Sequence, residues 1–468
     1  DGLLNDKISA ILPVGDSVWL GSHIFGLTKL SLTDLGIENF TYESSEKKVA
    51  YSAITSELVL DDNIIWYGGY GFHGRFNIAD EEWMEPPQRI AEDFQHNIEA
   101  LHVERDKVWM GVRKEGFRVL DRASGEWKRY QSSYLDISPF LTDIKRVGDT
   151  LFFSMDTGLK RYSEKNNSFR RVDVSVFDIE SMSPDGSDLW LGSRERSMTA
   201  GSNNTGLYRY NTKTCHLTSF NTLPDSRGTH VNKVVTDGPF VWVASGQGLE
   251  RFCRLTGEWD SYTFGESLAT DDVYTLAISG NTLLFGTDNG LFIKTIRQFD
   301  SEEDAELYRQ AWHAEKAGDS AGAAEIYSTL ASVLPRKEAD YILYRRARCL
   351  ESAGNSARAL AIYEKLLVDY PLLLADIETV YSSAHGMDTY LQKLQALESG
   401  YPEGSRERAL CSAYLKNIDV SLKLLASRME RSGNKEKAIK YWKLVSRVTE
   451  KPDLKKEAQK KTRSLNPN

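Results

Sequence analysis

The stretch Leu189-Trp190-Leu191-Gly192-Ser193 decides the fold, because its pattern returns along the chain. The same order of apolar, aromatic, apolar and small residues occurs in Val18-Trp19-Leu20-Gly21-Ser22, Ile65-Trp66-Tyr67-Gly68-Gly69 and Val108-Trp109-Met110-Gly111. Looser versions are Leu151-Phe152-Phe153-Ser154, Val241-Trp242-Val243-Ala244-Ser245 and Leu283-Leu284-Phe285-Gly286-Thr287. An alternating apolar run and a short polar turn precede each copy. A Gly-Leu pair or a close variant follows, as in Gly26-Leu27, Gly116-Phe117, Gly158-Leu159, Gly206-Leu207, Gly248-Leu249 and Gly290-Leu291. Glycine there supplies a backbone conformation that other residues resist, and the next residue enters a strand. Gly125-Glu126-Trp127 and Gly257-Glu258-Trp259 mark a further strand, with a turn glycine before an aromatic.

Seven copies spaced 38 to 52 residues apart each have room for four short strands. That period predicts a seven-bladed β-propeller over residues 1–299. The tryptophans recur in every part of the ring, as packing between blades requires. The last blade shows three clear strands, so its fourth is expected from upstream residues or from an extension of 295–299. Without either, the ring stays open or closes by packing against the first helix.

After residue 299 the periodicity becomes helical. Segments 305–335 and 340–371 align at an offset of 36, matching Gly318 with Gly354, Ala323 with Ala359, Tyr327 with Tyr363 and Pro335 with Pro371. A third copy runs over 421–452, carrying Gly433, Ala438 and Trp442. Each copy reads as helix, glycine turn, second helix and stop. The reading is an all-α repeat domain over 300–468, ending in a capping helix near 454–465.

The chain has 468 residues, 27% of them charged and 41% hydrophobic, which excludes a disordered or fibrous protein. Its net charge of −9 argues against a dedicated nucleic-acid binder. That charge divides into −11 over the first 299 residues and +2 over the rest, with +9 inside 423–463. No stretch has the roughly 18 uninterrupted apolar residues of a spanning helix. The chain begins at Asp1 without Met or an apolar leader, which leaves a removed leader and an unseen anchor both open. Cys215, Cys253, Cys349 and Cys411 form no C-x-x-C pair, so no structural zinc site is expected. Cys215 and Cys253 face each other only if their strands are neighbours. No catalytic, cofactor or metal motif stands out, and the expectation is a protein without catalytic residues, cofactor or metal.

These residues carry two resemblances. The first part resembles the bacterial regulator-propeller repeat of two-component sensor proteins, through Trp19-Leu20-Gly21-Ser22, Trp190-Leu191-Gly192-Ser193 and Phe285-Gly286-Thr287. The second and fourth blades depart from it, with Phe72-His73-Gly74 in place of Gly-Leu and Phe152 in place of Trp. The helical part resembles tetratricopeptide repeats. Together they imply a bacterial protein with its propeller in the periplasm or cell envelope. A propeller lyase of the streptogramin type is the nearest enzymatic relative by repeat pattern, and His230 is the histidine such an activity would need.

In a propeller, the loops between second and third strands share one face with the loops that lead to the next blade. On that face the sequence places His23, Phe25, Tyr70, His73, Arg113, Arg194, Arg196, Met198, Asn203 and His230. The loop 194–204 is longer than its counterparts, and long loops on a rigid ring are where function concentrates. Such a face suits a peptide loop or a glycan. On the last helix, Lys455, Lys456, Lys460 and Lys461 are expected to share a basic face for an acidic protein or an anionic membrane surface. The leading reading is a non-catalytic scaffold that binds other proteins in a cell-envelope or secretion assembly. The alternatives are an extracytoplasmic glycan- or ligand-binding sensor module and a lyase-like enzyme.

Overall fold

The computed structural model describes residues 2–465 apart from 24–25, 42–54, 70–71, 85–87, 90–96, 132–139, 165–167, 195–204, 221–229, 263–271, 298, 367–368, 371–372, 374–386, 450 and scattered positions within 405–434. Seven antiparallel sheets form the seven blades of a β-propeller, and helices follow from Glu302 to Leu465. Six blades have four strands or, in the second, four and a fragment; the seventh has three, Val273–Ser279, Thr282–Thr287 and Gly290–Thr295.

Among the described residues no fourth strand completes the last blade. The ring closes where the first strand, Ile8–Val14, lies beside Val273–Ser279. Ile8, Val18, Leu20 and Leu284 form the core of that seam. At the other end of the seventh blade, Ile296 and Phe299 pack into the cluster that contains the helices. Closure therefore combines strand packing with helix packing.

Six blades turn a tryptophan or phenylalanine of the second strand toward the following blade, and the seventh turns Leu284 toward the first. Trp190 sits with Val231, Val234 and Phe252 of the sixth blade, and Trp109 with Ile144 and Phe153 of the fourth. The small residue two places on has the complementary task. A side-chain carbon at Gly192 would collide with Val231 of the next blade. The repeated aromatic-x-Gly pattern is thus a packing rule between blades.

The helical part follows the expected repeats. Helices Glu302–Lys316 and Ser320–Val333 form one hairpin, Arg336–Ser352 and Ser356–Leu366 the next. Gly318 and Gly354 end their first helices at φ 87° and 79°, a left-handed conformation that glycine takes freely. Ala323 and Ala359 are fully buried and let the paired helices approach, while Tyr327 and Tyr363 fill the space beside them. Ser301 caps the first helix by accepting from the Asp304 amide, with Glu302, Glu303 and Asp304 at its positive end. Further helices are Met387–Gly400, Lys435–Val448 and Pro452–Leu465. No described helix is long and apolar enough to cross a membrane.

One hydrophobic cluster runs from the sixth and seventh blades, through Phe240, Trp242 and Leu255, into Tyr308, Trp312 and Tyr344 of the helices. Arginines complete the join. The turns between first and second strands of blades five, six and seven carry Asp185-Gly186, Asp237-Gly238 and Ser279-Gly280. Arg348, Arg345 and Arg309 of the helices lie against Gly186, Gly238 and Gly280 respectively. A side-chain carbon at Gly238 would stand 2.6 Å from the Arg345 stem, and φ there is 57°, so both space and conformation demand glycine. Asp237 binds Arg345 and, at 2.7 Å, Arg297. Arg345 also binds Tyr308 at 3.0 Å and Glu315 at 3.0 Å. Asp185 binds Arg254 and, at 3.2 Å, Arg348, and Arg254 donates to the Tyr344 hydroxyl at 2.6 Å. The helices are therefore docked on the turn face of blades five to seven.

Cys215 and Cys253 are both free thiols and belong to different clusters, so they do not face each other. In the sixth blade Glu250 is buried and its Oε2 has no hydrogen-bond partner among the described residues. Burial pushes its carboxyl up to about 7 from the ordinary 4.5. The folded chain then holds a proton that the unfolded chain releases, so this group lowers stability as pH rises between those values. Glu250→Gln is expected to raise the stability at pH 8 by about 3 kcal/mol, seen as a higher unfolding midpoint, and to change little at pH 4.5. Thermal melts at both pH values check this.

Candidate recognition face

With the helices on the turn face, the opposite face carries the loops between second and third strands and those between blades. The first strands explain what lies at its centre. Every one of them carries a bulge at the same place, where one residue is skipped in the pairing. The skipped residues are Ser9, Ser56, Glu99, Thr142, Glu180, Asn232 and Tyr274. A bulge re-aims side chains and often borders a functional site. Here it places the described side chains of Ser9, Glu99, Thr142, Glu180, Asn232 and Tyr274 at the loop-face end of the innermost strands, around the mouth of the central channel.

Two seams of this mouth are well defined. Between blades seven and one, Lys7 Nζ meets Asp288 at 2.9 Å and the Tyr274 hydroxyl at 3.2 Å, and that hydroxyl donates to Asp288 at 2.8 Å. The His23 amide donates to the Lys7 carbonyl at 3.2 Å. Burial, with help from the Lys7 charge, lowers the His23 pKa and so favours the neutral ring. Between blades three and four, Arg113 lies 3.5 Å from Glu99 and 5.4 Å from the centre of the Phe140 ring. Both seams set a cation beside a carboxylate and an aromatic ring.

Below the mouth, four charges span the channel. Lys233 of the sixth blade reaches Glu57 of the second at 3.5 Å, and those blades are not neighbours in the ring. Lys145 meets Asp143 at 2.7 Å within the fourth blade. Burial by itself raises the Asp143 carboxyl, but the charges of Lys145 and Lys233 outweigh it and hold it below the usual range. Two carboxylates and two ammoniums balance, so this layer is already satisfied and the chemistry open to a ligand is that of the mouth above it.

The residues expected on this face fare differently. His23 and Arg113 are loop residues as read, Arg194 is exposed, and His230 stands immediately before the sixth blade's first strand. The His230 Nδ1 is buried without a hydrogen-bond partner among the described residues. Phe25, Tyr70, Arg196, Met198 and Asn203 lie outside the described residues. His73 requires a correction. It belongs to the strand Phe72–Asn77, paired with Gly68, and is buried with its ring 5.3 Å from Trp127. It pairs with Gly68 as Leu249 pairs with Ala244 in the sixth blade, so it takes the strand position that the Leu of a Gly-Leu pair holds elsewhere. On the last helix Lys455, Lys456 and Lys460 are exposed, and Lys461, its side chain 39% exposed, pairs with Glu430 at 2.7 Å, so its charge already has a partner. Among the described residues no group of three or more His, Cys, Asp or Glu is placed to hold a metal ion.

The fold and face define a seven-bladed propeller with a tetratricopeptide-like helical array. The tetratricopeptide repeat family matches residues 341–372, the second helical copy. No curated protein matches the chain. Among solved structures, the extracellular domain of the BT4673 sensor system from B. thetaiotaomicron, described as a one-component system, aligns with a TM-score of 0.52 at 16% identity. That alignment covers 64% of this chain and 39% of the other. The extracellular domain of the hybrid two-component system BT3049 from the same organism aligns with a TM-score of 0.50 at 17% identity, over 63% of this chain and 41% of the other. These likenesses show the propeller fold, and the chain spans about two fifths of the length of those structures.

Proposed function

We propose that this chain is a non-catalytic recognition module that works outside the cytoplasm and binds an oligosaccharide or similar polar ligand on the loop face of its propeller. The observation that carries this reading is the placing of the helices. Their arginines occupy the turn face of blades five to seven, the face opposite the loops whose described residues form the polar channel mouth. Cations, carboxylates and aromatic rings set side by side suit a ligand with many hydroxyl groups. The structural neighbours are extracellular domains of sensor systems, which supports the extracytoplasmic setting.

A glycan array probed with the whole chain tests the reading. Binding is expected, and Arg113→Ala combined with His230→Ala should weaken it by at least about tenfold while leaving the melting temperature unchanged. Absence of any bound glycan, or an affinity indifferent to both substitutions, counts against it. A metal-dependent lyase activity abolished by His230→Ala would replace this reading with an enzymatic one.

A second reading keeps the chain as a scaffold of a bacterial cell-envelope or secretion assembly. Its support is the exposed Lys455, Lys456 and Lys460, a basic face for an acidic protein or an anionic membrane surface. Native purification that recovers a stable partner, lost on reversing those three charges, would favour it.

A further inference from the structure

Blades one, three, four, five and six end in a fourth strand of one pattern: apolar, polar, polar, apolar. The segments are Ile37-Glu38-Asn39-Phe40, Trp127-Lys128-Arg129-Tyr130, Phe169-Arg170-Arg171-Val172, Leu217-Thr218-Ser219-Phe220 and Trp259-Asp260-Ser261-Tyr262. The last apolar residue pairs with the one after the glycine that opens the third strand, as Tyr262 does with Leu249 and Phe40 with Leu27. The first pairs three places further on, as Trp259 does with Phe252 and Ile37 with Leu30. Backbone bonds fix both ends. The Phe220 amide donates to the Leu207 carbonyl at 2.8 Å, and the Asn211 amide donates to the His216 carbonyl at 2.8 Å.

The seventh blade has the third strand, Gly290–Thr295, but among the described residues no strand pairs with its outer side. Every residue from 272 to 297 is described. Counted from the opening glycine, Leu291 holds the place of Leu207 and Thr295 that of Asn211. The backbone groups of Leu291, Ile293 and Thr295 therefore point outward, while Phe292 pairs inward with Phe285. The opening glycines report the same vacancy. A side-chain carbon at Gly248 would meet the Tyr262 carbonyl of the fourth strand at 3.0 Å. At Gly290 the nearest atom belongs to the Leu3 side chain, 3.8 Å away. Lys294 and Thr295 are exposed, and so is Ile293, at 43%. Proteins ordinarily charge or cover an edge of this kind.

We propose that the outer edge of the seventh blade accepts an extended segment of a partner polypeptide as its fourth strand, with the pattern aromatic, polar, polar, aromatic. Main-chain hydrogen bonds to Leu291, Ile293 and Thr295 supply affinity, and the two aromatic places supply selection. The last aromatic stands opposite Leu291, which Leu3 flanks, and the first stands opposite Lys294. A second copy fits less well. Two such edges paired antiparallel about Ile293 set Thr295 opposite Leu291, where the other blades have an apolar residue.

A fluorescein-labelled peptide copying Thr256–Tyr262, titrated against the whole chain and followed by anisotropy, tests the proposal, with hydrogen exchange read in parallel. Saturable binding is expected, together with slowed exchange at the Ile293 and Thr295 amides. Trp259→Ser and Tyr262→Ser in the peptide should weaken binding by at least about tenfold. Ile293→Pro in the chain should do the same. Its amide points away from Thr282–Thr287, so proline removes an outward donor and spares the inner pairing. If that variant does not fold, the serine peptide decides alone. No saturable binding, equal binding of the serine peptide, or unchanged affinity in folded Ile293→Pro overturns the proposal. Slow exchange at both amides before peptide is added also overturns it, because the chain, alone or as a pair of copies, then covers its own edge.

Discussion

Asp237→Ala is expected to remove about 3–5 kcal/mol of stability, the cost of leaving buried charges without their partner. Asp237 and Arg345 are almost wholly inaccessible, with side-chain exposures of 0% and 1%. Without the carboxylate, Arg345 and Arg297 face each other across the seam between propeller and helices. Chemical denaturation read by circular dichroism measures the loss. The same cluster predicts an acid response. Burial raises the Asp237 carboxyl, but Arg297 and Arg345 outweigh it and hold it well below the usual carboxylate range. Arg254 and Arg348 do the same for Asp185. A depressed carboxyl stabilises the fold above its unfolded pKa and loses that contribution as pH falls through the folded value. The unfolding midpoint should therefore drop from about pH 4 downward, and Asp237→Asn should flatten the drop. A midpoint indifferent to Asp237→Ala would show that the helices are not held by this cluster.

Trp190→Ala is the second large effect, about 3–5 kcal/mol. The ring is fully buried between blades five and six, 5.2 Å from Phe220 and 6.2 Å from Phe252. It also lies 4.8 Å under Arg254, the residue that ties Asp185 to Tyr344. Its loss opens a cavity between blades and loosens the neighbouring ion cluster at once. Trp190→Phe keeps part of the packing and should cost less. Calorimetry of both variants checks the order, and equal melting temperatures for wild type and Trp190→Ala would refute the packing role.

The blades were legible because packing between them imposes the same residue types at the same places. The aromatic and the small residue two positions later, as in Trp190 and Gly192, are read directly as a repeat. The helical copies were legible for a similar reason, since Ala323 and Ala359 or Tyr327 and Tyr363 meet the same requirements twice. The bulges were missed, although the signal was present. Two successive non-aliphatic residues interrupt the alternation in five of the seven first strands, from Ser56-Glu57 to Tyr274-Thr275, and a polar residue before alanine does so in the other two, Ser9-Ala10 and Glu99-Ala100. The docking of the helices was not legible. Asp185-Gly186 reads as a tight turn, and only the fold brings Arg348, far along the chain, against it. His73 misled because it occupies a position where other blades have an apolar residue, so a polar side chain in a strand resembled a loop residue.

Hydrogen–deuterium exchange of the whole chain, with and without an oligosaccharide recovered from the glycan array, tests most directly that the loop face is the recognition surface. Slowed exchange is predicted around His23, Arg113, Arg194 and His230, with the helices from Glu302 to Leu465 unchanged. Protection confined to the helices Lys435–Val448 and Pro452–Leu465, with the propeller unaffected, would contradict it.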